Sequence, residues 1–131
     1  MGGCGVSRIH RRRSGGPAPV DGLGLAIVSN QCLVGEGIIT QPQLSLFTDW
    51  MVRHLSHRGV ELSDIAYCLH SRSEPCGCRK PATGLVDAVL SRHPELTLTG
   101  GIVIDQPTDM AFASALGLRG YLVVESGFCL L

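Results

Sequence analysis

The sequence has 131 residues, of which 44% are hydrophobic and 17% charged, a composition typical of one folded domain and not of a disordered chain. The formal net charge is zero, and the basic run Arg11–Arg13 stands alone, which argues against a nucleic-acid partner. No apolar run approaches the ~20 residues that span a bilayer, and the N-terminus matches no cleavable signal. We therefore predict a cytoplasmic protein with no membrane partner.

The first predicted strand follows an N-terminal segment of different composition. Residues 1–20 are rich in Gly, Arg and Pro, and we expect them to form a flexible arm before a folded domain over residues 21–131. The run from Leu23 to Asn30 is apolar, contains β-branched residues and ends in polar ones, which predicts a buried strand. The stretch "QCLVGEGIIT", residues 31–40, contains two glycines and is predicted to form a loop.

A helix and a second strand are predicted next. Thr40 is a favourable N-cap, with Pro42 in the first turn. Apolar residues then recur at helical spacing, and Gly59 is expected to end the helix. The recurring residues are Leu44, Phe47, Met51 and Leu55. The run "IAYCLH" predicts the second strand.

Two more helix–strand pairs follow along the chain. An apolar stripe of Leu85, Val86, Val89 and Leu90 predicts a helix from Thr83 to about Arg92. The run "GGIVID" predicts a strand that ends at Asp105, and "GYLVVE" predicts a fourth strand. Between them, a short helix is expected from a Thr108 cap to Leu116, with Gly117 as its stop. This alternation of strands and helices predicts an α/β fold with a parallel sheet.

Four potential metal ligands lie within one short segment, residues 68–78. Cys68, His70, Cys76 and Cys78 form the pattern Cys-x-His-x5-Cys-x-Cys, which suits tetrahedral Zn²⁺. All four positions would be filled by protein ligands, which indicates a structural and not a catalytic site. Gly77 is predicted to allow the tight turn between the last two ligands.

Other interpretations of these cysteines remain open. The segment could be a loop with reduced thiols, or Cys68 and Cys76 could form a disulfide. A redox role for the Cys-Gly-Cys pair is less favoured, because redox motifs more often use Cys-x-x-Cys. The scattered cysteines, Cys4, Cys32 and Cys129, are expected to be unpaired thiols.

Two cations follow the cysteine cluster directly. A metal-stabilised loop would hold Arg79 and Lys80 in place, which favours binding of an anion such as phosphate. Taken alone, the pair is more typical of solvated basic residues before a helix. Ser29 and Asp105 also end predicted strands, and ligands of α/β proteins bind at the carboxyl ends of the strands.

Three segments in this order carry a family resemblance. "IVSNQ", "CLHSRSEPCGCRKP" and "VIDQPTD" resemble the haloacid-dehalogenase (HAD) superfamily, specifically its zinc-loop branch of D,D-heptose 1,7-bisphosphate and histidinol-phosphate phosphatases. The resemblance covers residues 22–127. It implies a Rossmann-like, three-layer parallel sheet and hydrolysis of a small phosphorylated metabolite through an aspartyl-phosphate intermediate with Mg²⁺.

The resemblance also implies roles for single residues. Ser29 would hydrogen-bond the transferring phosphoryl group, with Asn30 beside it. Lys80 would neutralise charge on the phosphate and act with Ser29 in catalysis, and Arg79 would contact substrate. These parts agree with the general chemistry of phosphoryl transfer, which depends on positioning and electrostatic stabilisation.

For the second metal, the resemblance implies that Asp105 and Asp109 bind Mg²⁺. The sequence departs from the family pattern at two places. Ile104 stands where the family usually has Gly before the metal-binding Asp. The family's first strand also ends in Asp-x-Asp, which supplies the nucleophile, and this motif occurs nowhere in the chain. Asp21 is the one acidic residue before Ser29, and it begins the first predicted strand, at the wrong end.

The missing motif favours an enzyme whose catalytic first strand has been lost from the N-terminus. That strand lies in the middle of the family's sheet, so we expect another chain, the arm or a re-pairing of strands to fill its place. Two functions are consistent with these observations. The first is a degenerate phosphomonoesterase with little activity alone, and the second is a non-catalytic, zinc-stabilised module that binds a phosphorylated ligand or a partner.

Overall fold

The computed structural model describes residues 24–105, 109–124 and 127–130. The arm predicted over residues 1–20 lies outside this range, and so does Thr108. The chain divides into two compact units, Met1–Pro75 and Cys76–Leu131. In chain order the elements are β1 (Ala26–Asn30), α1 (Cys32–Gly35), α2 (Gln41–Ser56), β2 (Asp64–Cys68), α3 (Gly84–Arg92), β3 (Ile102–Asp105), α4 (Met110–Ala115), β4 (Arg119–Val124) and β5 (Gly127–Leu130).

The first unit is built on two parallel strands. β1 pairs with β2 in a register that sets Ala26 opposite Asp64 and Asn30 opposite Cys68. Leu44 of α2 packs with Ile65 and Tyr67 of β2 in the buried core of this unit. The parallel pairing requires a crossover connection, which α2 provides.

Helix α2 begins as the sequence predicts. Thr40 accepts a hydrogen bond from the Gln43 backbone, and the Gln43 side chain accepts one from the Thr40 backbone. This capping box satisfies two backbone donors that the first turn of a helix otherwise leaves without partners. Gly59 lies beyond the last turn with a φ of 79°, a left-handed conformation that favours glycine.

The inward face of α2 differs in one position from the predicted apolar stripe. Phe47 is 53% exposed, whereas Thr48 is 1% exposed. The Thr48 hydroxyl lies 2.8 Å from the Leu44 carbonyl oxygen and 2.8 Å from the Tyr67 hydroxyl. A threonine is tolerated in the core here because its hydroxyl is hydrogen-bonded.

The second unit contains a mixed sheet in the order β3-β4-β5. β3 and β4 are parallel, and α4 packs against both of them. β5, which the sequence did not predict, runs antiparallel to β4. The buried side chains of α3 are Leu85, Val86 and Val89, so most of the predicted apolar stripe is confirmed.

The α/β class with parallel strands is confirmed, but the described strands form two sheets, β1-β2 and β3-β4-β5. Within that part of the chain, β1 and β3 are not paired with each other. The short helix α1 lies where a loop was predicted. None of the described helices is long and apolar enough to cross a membrane.

Candidate metal centre and phosphate site

The carboxyl ends of β1 and β2 lie side by side. Asn30 is opposite Cys68, and the Gln31 backbone N–H donates to the Cys68 carbonyl oxygen over 2.7 Å. The Gln31 side chain donates to the Ser29 hydroxyl over 2.9 Å. Because that hydroxyl accepts from Gln31, its own O–H is directed away from the amide and can be donated to a ligand oxygen.

The four predicted zinc ligands are brought together by the loop that follows β2. One ligand atom from each of Cys68, His70, Cys76 and Cys78 lies within 4.8 Å of all the others. The Cys68 sulfur and His70 Nδ1 are 3.4 Å apart. A tetrahedral ion with Zn–S distances of about 2.3 Å holds its ligand atoms roughly 3.7 Å apart, so this donor set fits Zn²⁺ in spacing, and in chemistry when all three sulfurs are thiolates.

The oxidation states of the cysteines bear on this cluster. Cys68 and Cys76 are thiols, so the alternative of a disulfide between them is wrong. Cys32 is also a thiol, as expected. Cys78 is disulfide-bonded. Since a disulfide sulfur is not a thiolate, the third sulfur ligand, and with it the fourth ligand of the ion, requires reduced Cys78.

Two glycines other than Gly77 allow close backbone packing at this loop. A Cβ on Gly35 would lie 2.3 Å from the Ser71 nitrogen and 2.4 Å from the Leu69 carbonyl oxygen. A Cβ on Gly84 would lie 2.5 Å from the Gly77 carbonyl oxygen. A Cβ on Gly77 itself would meet nothing within 4 Å, and Gly77 has no positive φ. The structure therefore shows no steric requirement for glycine at position 77.

This difference between two glycines gives a direct prediction. Gly84→Ala should force the start of α3 away from the loop, because the new methyl group would collide with backbone. We expect a destabilisation of about 1–3 kcal/mol, typical of overpacking, and weaker metal retention. Gly77→Ala, the matched control, should change neither quantity by a measurable amount. Thermal unfolding and metal analysis of both variants test this, and equal effects would contradict it.

Lys80 and Asp109, both predicted site residues, form a buried ion pair. Lys80 Nζ donates to Asp109 Oδ1 over 2.5 Å, and the two side chains are only 13% and 10% exposed. Asp109 is the N-cap of α4 but makes no side-chain capping bond, so its carboxylate is directed to Lys80 instead. Charge-assisted hydrogen bonds of this kind are the strong ones in proteins.

The remaining predicted residues are located with less detail. Arg79 is half-buried, next to Lys80 in the loop. Asp105 ends β3 and pairs in register with Leu122, but its side chain lies outside the described part of the structure. Ile104 is 47% exposed. Among the two predicted Mg²⁺ ligands, side-chain contacts are therefore given for Asp109 alone.

Two residues near the site were missed at the sequence level. Gln31, the last residue of "IVSNQ", has no role predicted from the sequence, although its side chain donates a hydrogen bond to Ser29. Phe112 lies with its ring centroid 5.7 Å from Lys80 Nζ. Phe112 follows Asp109 by three residues, a spacing that places both on one helix face. That spacing could have indicated from the sequence that Phe112 lies near the site.

Comparison with known proteins supports a relationship to phosphatases. The chain is 38% identical over 84 residues to a probable D-glycero-D-manno-heptose-1,7-bisphosphate 7-phosphatase of Thermoplasma volcanium, covering 64% of this chain and 57% of the relative. It is 33% identical over 116 residues to a D-glycero-beta-D-manno-heptose-1,7-bisphosphate 7-phosphatase of Yersinia pestis. This match covers 81% of this chain and 60% of the relative. No family model matches the chain.

A solved structure supports the same relationship at the level of the fold. The crystal structure of D,D-heptose 1,7-bisphosphate phosphatase from B. bronchiseptica, complexed with magnesium and phosphate, matches with a TM-score of 0.68 and 26% identity, covering 76% of this chain and 55% of that one. The chain therefore spans about three fifths or less of the length of these relatives.

The fold and the loop define an α/β protein of the HAD-like class. Within it, the chain resembles the heptose-1,7-bisphosphate phosphatases and carries a Cys/His cluster that could bind zinc.

Proposed function

We propose that this chain is a phosphomonoesterase domain of the HAD type in a degenerate form, which binds zinc and phosphate but has little or no hydrolytic activity alone. The observation that carries the proposal is the buried Lys80–Asp109 pair, which follows the Cys/His loop in sequence and has the parts of a phosphate and metal site. The proposed ligand is a small phosphorylated metabolite, a sugar bisphosphate such as D,D-heptose 1,7-bisphosphate or histidinol phosphate.

In this proposal the zinc is structural. Cys68, His70, Cys76 and Cys78 would fill its four positions and leave none for water. The ion would fix the loop that leads into Arg79 and Lys80. A backbone fixed in this way reduces the entropy lost when a phosphate is bound.

Phosphate would be bound by side chains that donate hydrogen bonds. Lys80 donates to the Asp109 carboxylate, and its positively charged ammonium, with three N–H donors, is the group proposed to attract phosphate oxygens. Ser29 would donate its O–H, held in place by the bond from Gln31. Asn30 and Arg79 are the further proposed phosphate contacts.

Asp105 and Asp109 fit Mg²⁺ in chemistry, since hard cations prefer carboxylate oxygens. Lys80 occupies one Asp109 oxygen, so the second oxygen is the one that Asp109 could offer to a cation. When bound, Mg²⁺ would supply charge stabilisation to phosphate oxygens.

Hydrolysis needs a carboxylate nucleophile that this sequence does not supply. No Asp-x-Asp occurs in the 131 residues. Without it, the bound phosphate has no group to form an aspartyl-phosphate intermediate, and residues that only bind the ground state do not accelerate the chemical step. We therefore expect binding without appreciable turnover.

Mg²⁺-dependent phosphate release tests the catalytic half of this proposal. Zinc-loaded protein is given heptose bisphosphate or histidinol phosphate, with Lys80→Ala and Asp105→Ala assayed in parallel. We expect no release above background from any form. Turnover by the wild-type chain that both substitutions abolish would show a working active site and overturn the expectation.

A second candidate function is a binding module for a phosphorylated ligand or a protein partner, and the absent nucleophile favours it. It predicts saturable phosphate binding that Lys80→Ala abolishes. The proposed partner chain would supply a strand, because β3 lies at the end of its described sheet. Equal phosphate binding by wild type and Lys80→Ala would count against this function.

A further inference from the structure

Helix α4 presents two different groups to the same ammonium ion. Asp109 occupies the N-cap position, and Phe112 follows three residues later, a spacing that places both side chains on one face. Lys80 Nζ contacts the Asp109 carboxylate and lies over the Phe112 ring, 5.7 Å from its centroid. Phe112 is only 1% exposed, so its ring is fixed by the surrounding core.

The ring offers the ammonium an attraction that an aliphatic side chain would not. The face of an aromatic ring carries partial negative charge, and cations within about 6 Å of the centroid are attracted to it. Lys80 has a flexible four-carbon stem and is itself mostly buried. A carboxylate on one side and a ring face on another leave the stem few alternative positions.

We propose that Phe112 is a positioning residue for Lys80. Its ring and the Asp109 carboxylate together order the ammonium before any phosphate binds. Less conformational entropy of the Lys80 side chain is then lost when phosphate binds. The effect on phosphate affinity rests on the proposed function, in which Lys80 binds phosphate. The ordering of Lys80 itself does not.

Lys80 is the sole lysine of the chain, which makes the test direct. Isotope-labelled lysine gives NMR signals from one side chain, and carbon relaxation of its ε-methylene reports how ordered that side chain is. In Phe112→Leu we expect the order to fall and the affinity for inorganic phosphate to weaken by about two- to fivefold, the range that a cation–π contact contributes. Phe112→Tyr retains the ring and should keep both properties closer to wild type.

Val89→Ala controls for a general loss of core packing. Val89 is a buried residue of α3, and its truncation should lower stability while leaving the Lys80 signals unchanged. If Phe112→Leu fails to fold, Phe112→Met serves as the second ring-free variant.

The outcomes separate the inference from the proposed function. Reduced Lys80 order in the ring-free variant, restored in Phe112→Tyr, supports the positioning role. Unchanged Lys80 order in Phe112→Leu or Phe112→Met overturns it. If instead Lys80→Ala binds phosphate as tightly as wild type, the proposed phosphate site fails, while the order measurement still decides the role of Phe112.

Discussion

Replacing Cys68 with serine is expected to remove the metal and destabilise the fold more than any other single cysteine change. Cys68 is 1% exposed and ends β2, so its loss affects both the cluster and the strand that carries it. Structural zinc contributes folding free energy directly. Even about 3 kcal/mol would lower the melting temperature of a domain of this size by roughly 10 °C.

Metal analysis and thermal unfolding under reducing conditions measure this effect. We expect one zinc per wild-type chain and almost none in Cys68→Ser. Cys32→Ser is the matched control, because Cys32 is a thiol in α1 outside the four-residue cluster. A Cys68→Ser variant that keeps full zinc and full stability would rule out the proposed centre.

Lys80→Met should be the second strongly destabilising change. The substitution leaves the Asp109 carboxylate in a site where it is only 10% exposed, without the ammonium that now balances it. Removing one partner of a buried pair typically costs about 3–5 kcal/mol, because the remaining charge is desolvated and uncompensated. Urea unfolding should show a lower midpoint with an unchanged slope.

A surface ion pair of the same chain provides the comparison. Arg72 Nε lies 3.8 Å from Glu36 Oε1, and the Arg72 side chain is 77% exposed. Arg72→Met should therefore cost no more than about 1 kcal/mol. Adding Asp109→Asn to Lys80→Met should recover part of the lost stability, because no charge is then left buried. Similar costs for Lys80→Met and Arg72→Met would contradict the ion-pair interpretation.

The metal centre and the Lys80–Asp109 ion pair are tested separately by these two substitutions. The cysteine substitution tests the metal centre, and the lysine substitution tests the charge pair that would bind phosphate and cation. Under the proposed function, a protein that keeps both the zinc centre and the ion pair binds phosphate with little or no hydrolysis.

The sequence by itself determined the features that depend on neighbours along the chain. The Thr40 N-cap was predicted from its residue type and from Pro42 in the first turn, and the structure confirms it. The four metal ligands lie within residues 68–78, so one short loop is enough to gather their atoms. The class of fold also followed, because strand and helix periodicities are local patterns.

The tertiary structure decided the features that depend on residues distant in sequence. Thr48 faces the core because the Tyr67 hydroxyl is there to bond it, and no periodicity of α2 shows that partner. The Lys80–Asp109 pair and the Phe112 contact join a loop to a helix some thirty residues away. The glycine that the loop requires is Gly84 and not Gly77, since only the folded backbone shows where a methyl group would collide. Hydrogen bonds, ion pairs and excluded volume act through space, and sequence spacing indicates them only when the partners are also close along the chain.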